Sequence, residues 1–304
     1  MSRRIPDADA SVVQRIREVF ADAGCSGWLH ARRCDDSPAE VCVGGRDRVV
    51  TASVYKLLLL VAFCRQVDEG VLDPAARLTV DPAHCTPGPT GLAALHDPIT
   101  LSRRDLATSM MTVSDNAAAD VLLGEIGPAA IAALVTELGL PGTRVVGGTA
   151  DLHRSLVRET DTPSVAAAFA ALADTDEAWT VSAYDPAYAS ATTPAEMTAL
   201  LEALWSGRVL STGSTAFVRS VMSKQVWPHR IAAGFPHRGV VVAGKTGTIG
   251  VIRNEVAVVE FPDEIPVAVA VFTRAARADP ILPVVDAAIG EAARIAVTEL
   301  RRPR

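Results

Sequence analysis

The chain has 304 residues, of which 49% are hydrophobic and 21% charged, with a net charge of −6. That much apolar material builds a substantial core and excludes a disordered tail or a disulfide-stapled miniprotein. The acidic balance repels polyanions and aromatics are only 5%, so no nucleic-acid partner is expected.

The longest apolar run, Leu57 to Cys64, is far short of the roughly 20 residues that span a bilayer, and no membrane span is expected. Arg3 and Arg4 resemble the start of an export signal, but acidic Asp7 and Asp9 follow where an apolar stretch belongs. The sequence as written therefore predicts a cytoplasmic protein, with secretion open if the start codon is misassigned. The odd cysteine count (Cys25, Cys34, Cys42, Cys64 and Cys85) predicts reduced thiols. Cys64 reads as core, and a pair among Cys25, Cys34 and Cys42 stays open.

In chain order, Val12, Val13, Ile16, Val19 and Phe20 repeat at helical spacing from Asp9 to Ala23, and Gly24 ends the helix. Gly27 to Ala31 and Val41 to Val43 read as a strand hairpin around the turn residues Asp35-Asp36-Ser37-Pro38. Ser53 to Val67 predicts a buried helix closed by Gly70. The Pro- and Gly-rich stretch Asp73 to Pro98 predicts loops. Leu101 to Leu138 predicts helix in two or three pieces, broken near Val113–Asn116 and at Gly127-Pro128. Ala166 to Ala173 and Pro194 to Trp205 add helices; prolines at 163 and 194 suit first turns. Gly239 to Ala243, Glu255 to Phe261 and Ile265 to Thr273 are Val-rich runs that predict three antiparallel strands, and Asp286 to Leu300 a last amphipathic helix.

This order predicts an α+β fold: a mixed antiparallel sheet flanked by helices, plus an all-helical subdomain. One catalytic domain covers residues 1–304. Its sheet part comes from about 1–52 and 207–304 and its helical part from about 53–206, with a cleft between them as the expected site.

Three short motifs carry chemistry. In Ser53-Val54-Tyr55-Lys56, positions i and i+3 share a helix face, so an amine lies over a hydroxyl. An amine held in a partly apolar site can lose its proton and take the one from serine. A serine at a helix N-terminus also sits in positive potential that favours an oxyanion. Ser114-Asp115-Asn116 interrupts a helical region. It reads either as an N-cap or as a hydroxyl relay beside an amide. Lys245-Thr246-Gly247-Thr248 follows the strand Val240 to Ala243. It reads either as an ordinary strand end or as an anion clamp with a glycine that admits a ligand. S-x-x-K alone turns up about once by chance in such a chain, but all three in this order in only about a few chains per thousand.

The trio resembles the penicillin-recognising serine hydrolases, meaning the class A β-lactamases and penicillin-binding proteins. The spacing agrees, with 61 residues from Ser53 to Ser114 and 131 from Ser114 to Lys245. Thr192-Thr193-Pro194-Ala195-Glu196-Met197 resembles the segment that follows that family's Ω-loop. The resemblance implies a serine β-lactamase-like fold and a hydrolase that opens cyclic amides through an acyl-enzyme on Ser53. Slow deacylation is one expectation. The alternatives are a penicillin-binding, peptidase, esterase or acyltransferase-like enzyme, or a non-catalytic β-lactam sensor. It implies Lys56 and Ser114 as proton carriers and the Ser53 and Thr248 backbone N–H groups as oxyanion donors. Asn116, Lys245, Thr246, Gly247 and Arg253 become substrate-binding residues. The implied partner is a small-molecule substrate, a β-lactam or an acyl-peptide or ester. No cofactor or metal is implied, and a monomer is expected.

One departure stands out. Class A enzymes carry R-x-E-x-x-L-N on the Ω-loop, whose glutamate activates the deacylating water. The motif is absent here, and its glutamate position falls near Thr149. The stretch from Gly147 to Ser190 is longer than the family's, and Ser190 stands near where an aspartate is expected. Glu159, Asp151 and His153 are the candidates to replace the glutamate, although each reads first as a surface loop residue.

Overall fold

The computed structural model describes residues 10–174 and 181–302. The N-terminal segment that carries Arg3, Arg4 and the start of the first predicted helix at Asp9 lies outside the described residues.

Helix α1 (Ala10–Asp22) buries Val12, Ile16 and Phe20 and leads into β1 (Cys25–Arg33) and β2 (Glu40–Val43). The predicted hairpin is present, with His30 opposite Cys42. The chain then forms β3 (Val49–Val50), a one-turn 3₁₀ segment (Ala52–Val54) and α2 (Tyr55–Asp68). Ten consecutive α2 residues, Tyr55 to Cys64, are buried. A helix apolar on all sides belongs inside a core, and each fully buried leucine there contributes about 1.5–3 kcal/mol.

The stretch expected to be loop contains β4 (Arg77–Val80), paired with β5 (Ile99–Ser102). The predicted long helix is three: α3 (Arg103–Thr112), α4 (Asn116–Ile126) and α5 (Pro128–Glu137). Its breaks fall where the sequence placed them. Asp115 caps α4, and Gly127 at φ 78 precedes the Pro128 first turn. Then follow α6 (Thr149–Thr160), α7 (Val165–Ala173), β6 (Ala191–Thr192), α8 (Pro194–Trp205) and α9 (Thr212–Ser223). The sequence reading missed α6, α9, β4 and the short β3–β6 pair. The last elements are β7 (Val241–Ile249), β8 (Ile252–Glu260), β9 (Val267–Ala275) and α10 (Pro283–Leu300).

The five longer strands form one antiparallel sheet in the order β2-β1-β9-β8-β7. One face packs on α1 and α10 through residues such as Ile16, Val269 and Ile289. The other packs on α8 and α9, and beyond them on the block around α2. Both faces of β8 and β9 are thus covered, which explains their continuous valine-rich runs. A third cluster, including Leu156, Leu172 and Ile249, joins α6 and α7 to the end of β7. All five cysteines are free and Cys64 is buried. Burial holds the Cys64 thiol up at about 12, so it is inert.

Candidate active site

The site forms where the start of α2, the α3–α4 break and the middle of β7 meet. Ser53 lies on the 3₁₀ turn that runs into α2, three residues before Lys56. That turn is held from several sides. The Asn254 side-chain amide donates to the carbonyls of Val50 (2.8 Å) and Thr51 (3.2 Å). The Thr51 hydroxyl donates to the Ser190 carbonyl at 3.0 Å. Gly247 passes so close that a Cβ there would stand 2.5 Å from the Thr51 carbonyl oxygen, which is why the motif tolerates no side chain at that point. Ala52, immediately before Ser53, sits at φ 44, and Ser114 at φ 58. Left-handed non-glycine backbone is costly and concentrates where function requires it.

Lys56 is fully buried. Its amine donates to the Ser114 carbonyl at 2.6 Å and to Asn116 Oδ1 at 2.8 Å, with Asp115 O at 3.3 Å and Ser114 Oγ at 3.5 Å. Burial pushes it down to about 7, against the opposing pull of Asp115 and Asp120. Lys245 is also fully buried. It donates to Ser114 Oγ at 2.9 Å and to its neighbour's carbonyl, Thr246 O, at 2.8 Å. Burial, the nearby Lys56 amine and Arg230 all hold it well below the usual lysine range. Ser114 therefore sits between two amines. The Ser53 hydroxyl makes no hydrogen bond to a described residue, and Ser53 opens into the cavity.

The N-cap reading of Ser114-Asp115-Asn116 is what the structure shows. Asp115 Oδ1 caps α4 by accepting from Ala118 N–H, while Asp115 Oδ2 accepts from Ser109 and Leu92. This buried brace leaves Ser114 and Asn116 free to face the lysine. The reading of Lys245-Thr246-Gly247-Thr248 as lying past a strand is corrected: all four residues are inside β7, paired with β8 in the register Thr248 to Arg253. The glycines at 244 and 247 look like breakers in sequence but mark close approach.

A cavity of about 1080 Å³ collects Ser53, Ser114, Asn116, Thr246, Thr248 and Arg253 on its wall. Arg253 is 2% exposed. Its guanidinium is directed to backbone: Nη1 donates to Gly250 O at 3.2 Å, and Nη2 to the Asp279 and Pro280 carbonyls. A second arginine, Arg230, was not singled out in the sequence. It donates to Thr248 Oγ1 at 2.7 Å, to the carbonyls of Asn254 and Gly247 at 2.7 and 3.1 Å, and to Asp286 at 2.6 Å. Arg230 thus puts a fixed cation beside Thr248 on the cavity wall.

Helix α6 also contributes to the cavity wall, and it carries the three substitute candidates. Thr149 starts the helix. Its hydroxyl meets Tyr55 Oη at 3.2 Å, and Asp120 of α4 accepts from the backbone N–H groups of Thr149 and Ala150 at 2.8 Å each. Aligned on Thr149, the family's Glu-x-x-Leu-Asn is met by Thr149-Ala150-Asp151-Leu152-His153. Leu152 retains the leucine and His153 takes the asparagine's place. His153 is not a surface residue. It is 9% exposed, its Nδ1 is buried without a described partner, and its ring packs edge-on against Phe169. Burial lowers its pKa, keeping the ring neutral. Asp151 accepts from Gly148 N–H at the helix start and pairs with Arg154. Glu159, about two turns beyond Asp151, is occupied by Ser155 and Ser182. Where the family aspartate was expected, Ser190 accepts from Val146 N–H.

The description "Beta-lactamase enzyme family" matches residues 11–300. The chain is 30% identical over 278 residues to the beta-lactamase regulatory protein BlaB of Streptomyces cacaoi, covering 86% of this chain and 89% of that one. It superposes on an ancestral class A β-lactamase with a TM-score of 0.76 at 25% identity, covering 94% of this chain and 99% of the other. It also superposes on a mutant of PBP-A, seen as an acyl-enzyme complex with penicillin G, with a TM-score of 0.74 at 22% identity and coverage of 95% and 97%. A match from the first helix to the last, on a fold that brings the three motifs to one cavity, makes the chain a member of the beta-lactamase enzyme family.

Proposed function

We propose that the chain is a serine hydrolase that opens β-lactams through an ester on Ser53. The observation that carries the reading is the hydrogen-bonded series from Lys56 through Ser114 to Lys245 beside a serine on the wall of one cavity. With its pKa near 7, much of the Lys56 amine is neutral at physiological pH. Its two shortest hydrogen bonds use the two N–H groups of a neutral amine and leave the lone pair for the Ser53 proton. Ser53 Oγ then attacks the lactam carbonyl. Backbone N–H groups of Ser53 and Thr248 hold the oxyanion, and the Ser114 hydroxyl relays a proton to the lactam nitrogen as its bond to carbon breaks. Lys245, Thr246 and Arg230 bind the substrate carboxylate. Arg253 braces the strand and loop behind them, and Asn116 holds Lys56 and an amide carbonyl of the substrate.

A second reading is a β-lactam sensor that acylates and stays acylated. Two observations favour it: Thr149 supplies no carboxylate at the start of α6, and a relative carries the name of a regulatory protein. Steady turnover of a chromogenic cephalosporin, abolished by Ser53→Ala, supports the hydrolase. A stoichiometric burst that stops after one equivalent supports the sensor. Turnover that survives Ser53→Ala rules out both.

A further inference from the structure

The acyl-serine reading leaves open what activates the water that releases the acyl group. We propose that His153 is that base, taking over on α6 the task for which Thr149 has no carboxylate. This inference rests on the acyl-serine reading.

Three observations place His153 there. Thr149 is fixed against Tyr55, the residue before Lys56. One helical turn separates Thr149 from His153, so both side chains lie on the same face of α6. His153 shares the wall of the Ser53 cavity yet is 9% exposed, and its Nδ1 meets no described hydrogen-bonding group. A buried imidazole nitrogen without a protein partner is unusual; with no hydrogen bond fixing the tautomer, the Nδ1–H form leaves the lone pair of Nε2, the nitrogen not sealed from solvent, to take a proton from water.

The groups around the ring keep it in its basic form. Lys56 on α2 opposes a charge on it, Asp120 on α4 favours one, and α7 contributes only the edge of Phe169. On its own helix, Asp151 and Arg154 pair with each other. Burial outweighs Asp120, so the imidazole is neutral at pH 7.

The step balances. A ring nitrogen takes a proton from water as the water oxygen bonds to the acyl carbon. The tetrahedral oxyanion collapses, the bond from carbon to Ser53 Oγ breaks, and its electron pair goes to Oγ. The imidazolium returns the proton to Oγ through the Lys56 and Ser114 groups. The products are a carboxylic acid and free serine.

The test follows the full chain by quenched-flow intact mass with penicillin G and a cephalosporin. It compares wild type with His153→Asn and His153→Gln, each checked for folding by circular dichroism. In the variants, acylation should stay within about threefold of wild type, while loss of the acyl adduct slows on the order of 100-fold or more. Wild-type deacylation should fall on the acid side of pH 6.5, and the variants should lose that limb. A structural role alone would not remove the limb. Unchanged deacylation in a folded variant, or an equal loss of both steps, overturns the proposal. A permanent adduct on wild type overturns it while leaving acyl-serine chemistry intact. No adduct and no turnover in wild type removes the acyl-serine reading itself.

Discussion

The Lys245 amine donates a 2.9 Å hydrogen bond to the Ser114 hydroxyl, across 131 residues of sequence. That contact joins the sheet to the helical block and brings a second amine next to the one on Lys56.

Ser114→Ala is therefore expected to act twice. It removes the relay to the leaving nitrogen, so acylation slows by a factor on the order of 10²–10⁴. It also leaves the buried Lys245 amine, among the described residues, with only the Thr246 carbonyl, a loss of about 1–3 kcal/mol. Stopped-flow acylation and denaturant melts measure the two effects separately. An unchanged acylation rate would remove Ser114 from the proton path.

The lowered pKa of Lys56 fixes a pH profile. Only the neutral amine accepts the serine proton, so acylation should drop about tenfold per unit below pH 7 and level off above it. The same shift has a stability sign. Between about 7 and the ordinary value of 10.5 the unfolded chain binds the extra proton, so this group's contribution to stability rises with pH across that window. A pH-independent acylation rate between 5.5 and 8 would contradict Lys56 as the base.

Arg230→Ala should raise KM for carboxylate-bearing β-lactams more than it lowers kcat. It should also cost about 3 kcal/mol or more of stability, since among the described residues the largely buried Asp286 keeps only His229, at 3.7 Å, as an ion-pair partner. Arg230→Lys should recover part of the stability but not the binding, because a point charge cannot serve Thr248, two carbonyls and Asp286 together. Equal effects of the two substitutions on KM would remove the fork geometry from the account.

Thr149→Glu does not simply restore the family's glutamate. The new carboxylate would arrive at the end of α6 that Asp120 already caps with its own charge. Thr149→Glu alone is expected to lower Tm, and adding Asp120→Asn should recover it and raise turnover. If the double variant melts no higher than the single one, charge repulsion is not the cause.

The three motifs, the central strands and most helices were legible because each rests on local chemistry. Asp115 caps α4, Pro128 and Pro194 open first turns, and valine runs form the buried strands. Helix α6 was not legible. No side chain at Gly148 caps it, and the cap comes instead from Asp120 on another helix, so in sequence His153 reads as a loop residue. Arg230 escaped for a similar reason: it lies at a 3₁₀ start after Pro228, with no periodicity, and only the fold sets it beside Thr248. The β4–β5 pair does alternate, as Arg77-Leu78-Thr79-Val80 and Ile99-Thr100-Leu101-Ser102, but each strand is only four residues long and they flank a Pro- and Gly-rich stretch, too short a run to stand out.

The central claim is that the substrate carbon becomes bonded to Ser53. The most direct measurement is rapid acid quench with penicillin G followed by digestion and peptide mass mapping. One added penicillin mass is expected on the peptide that holds Ser53, absent in Ser53→Ala. An adduct on any other residue, or hydrolysis that persists in Ser53→Ala, would contradict it.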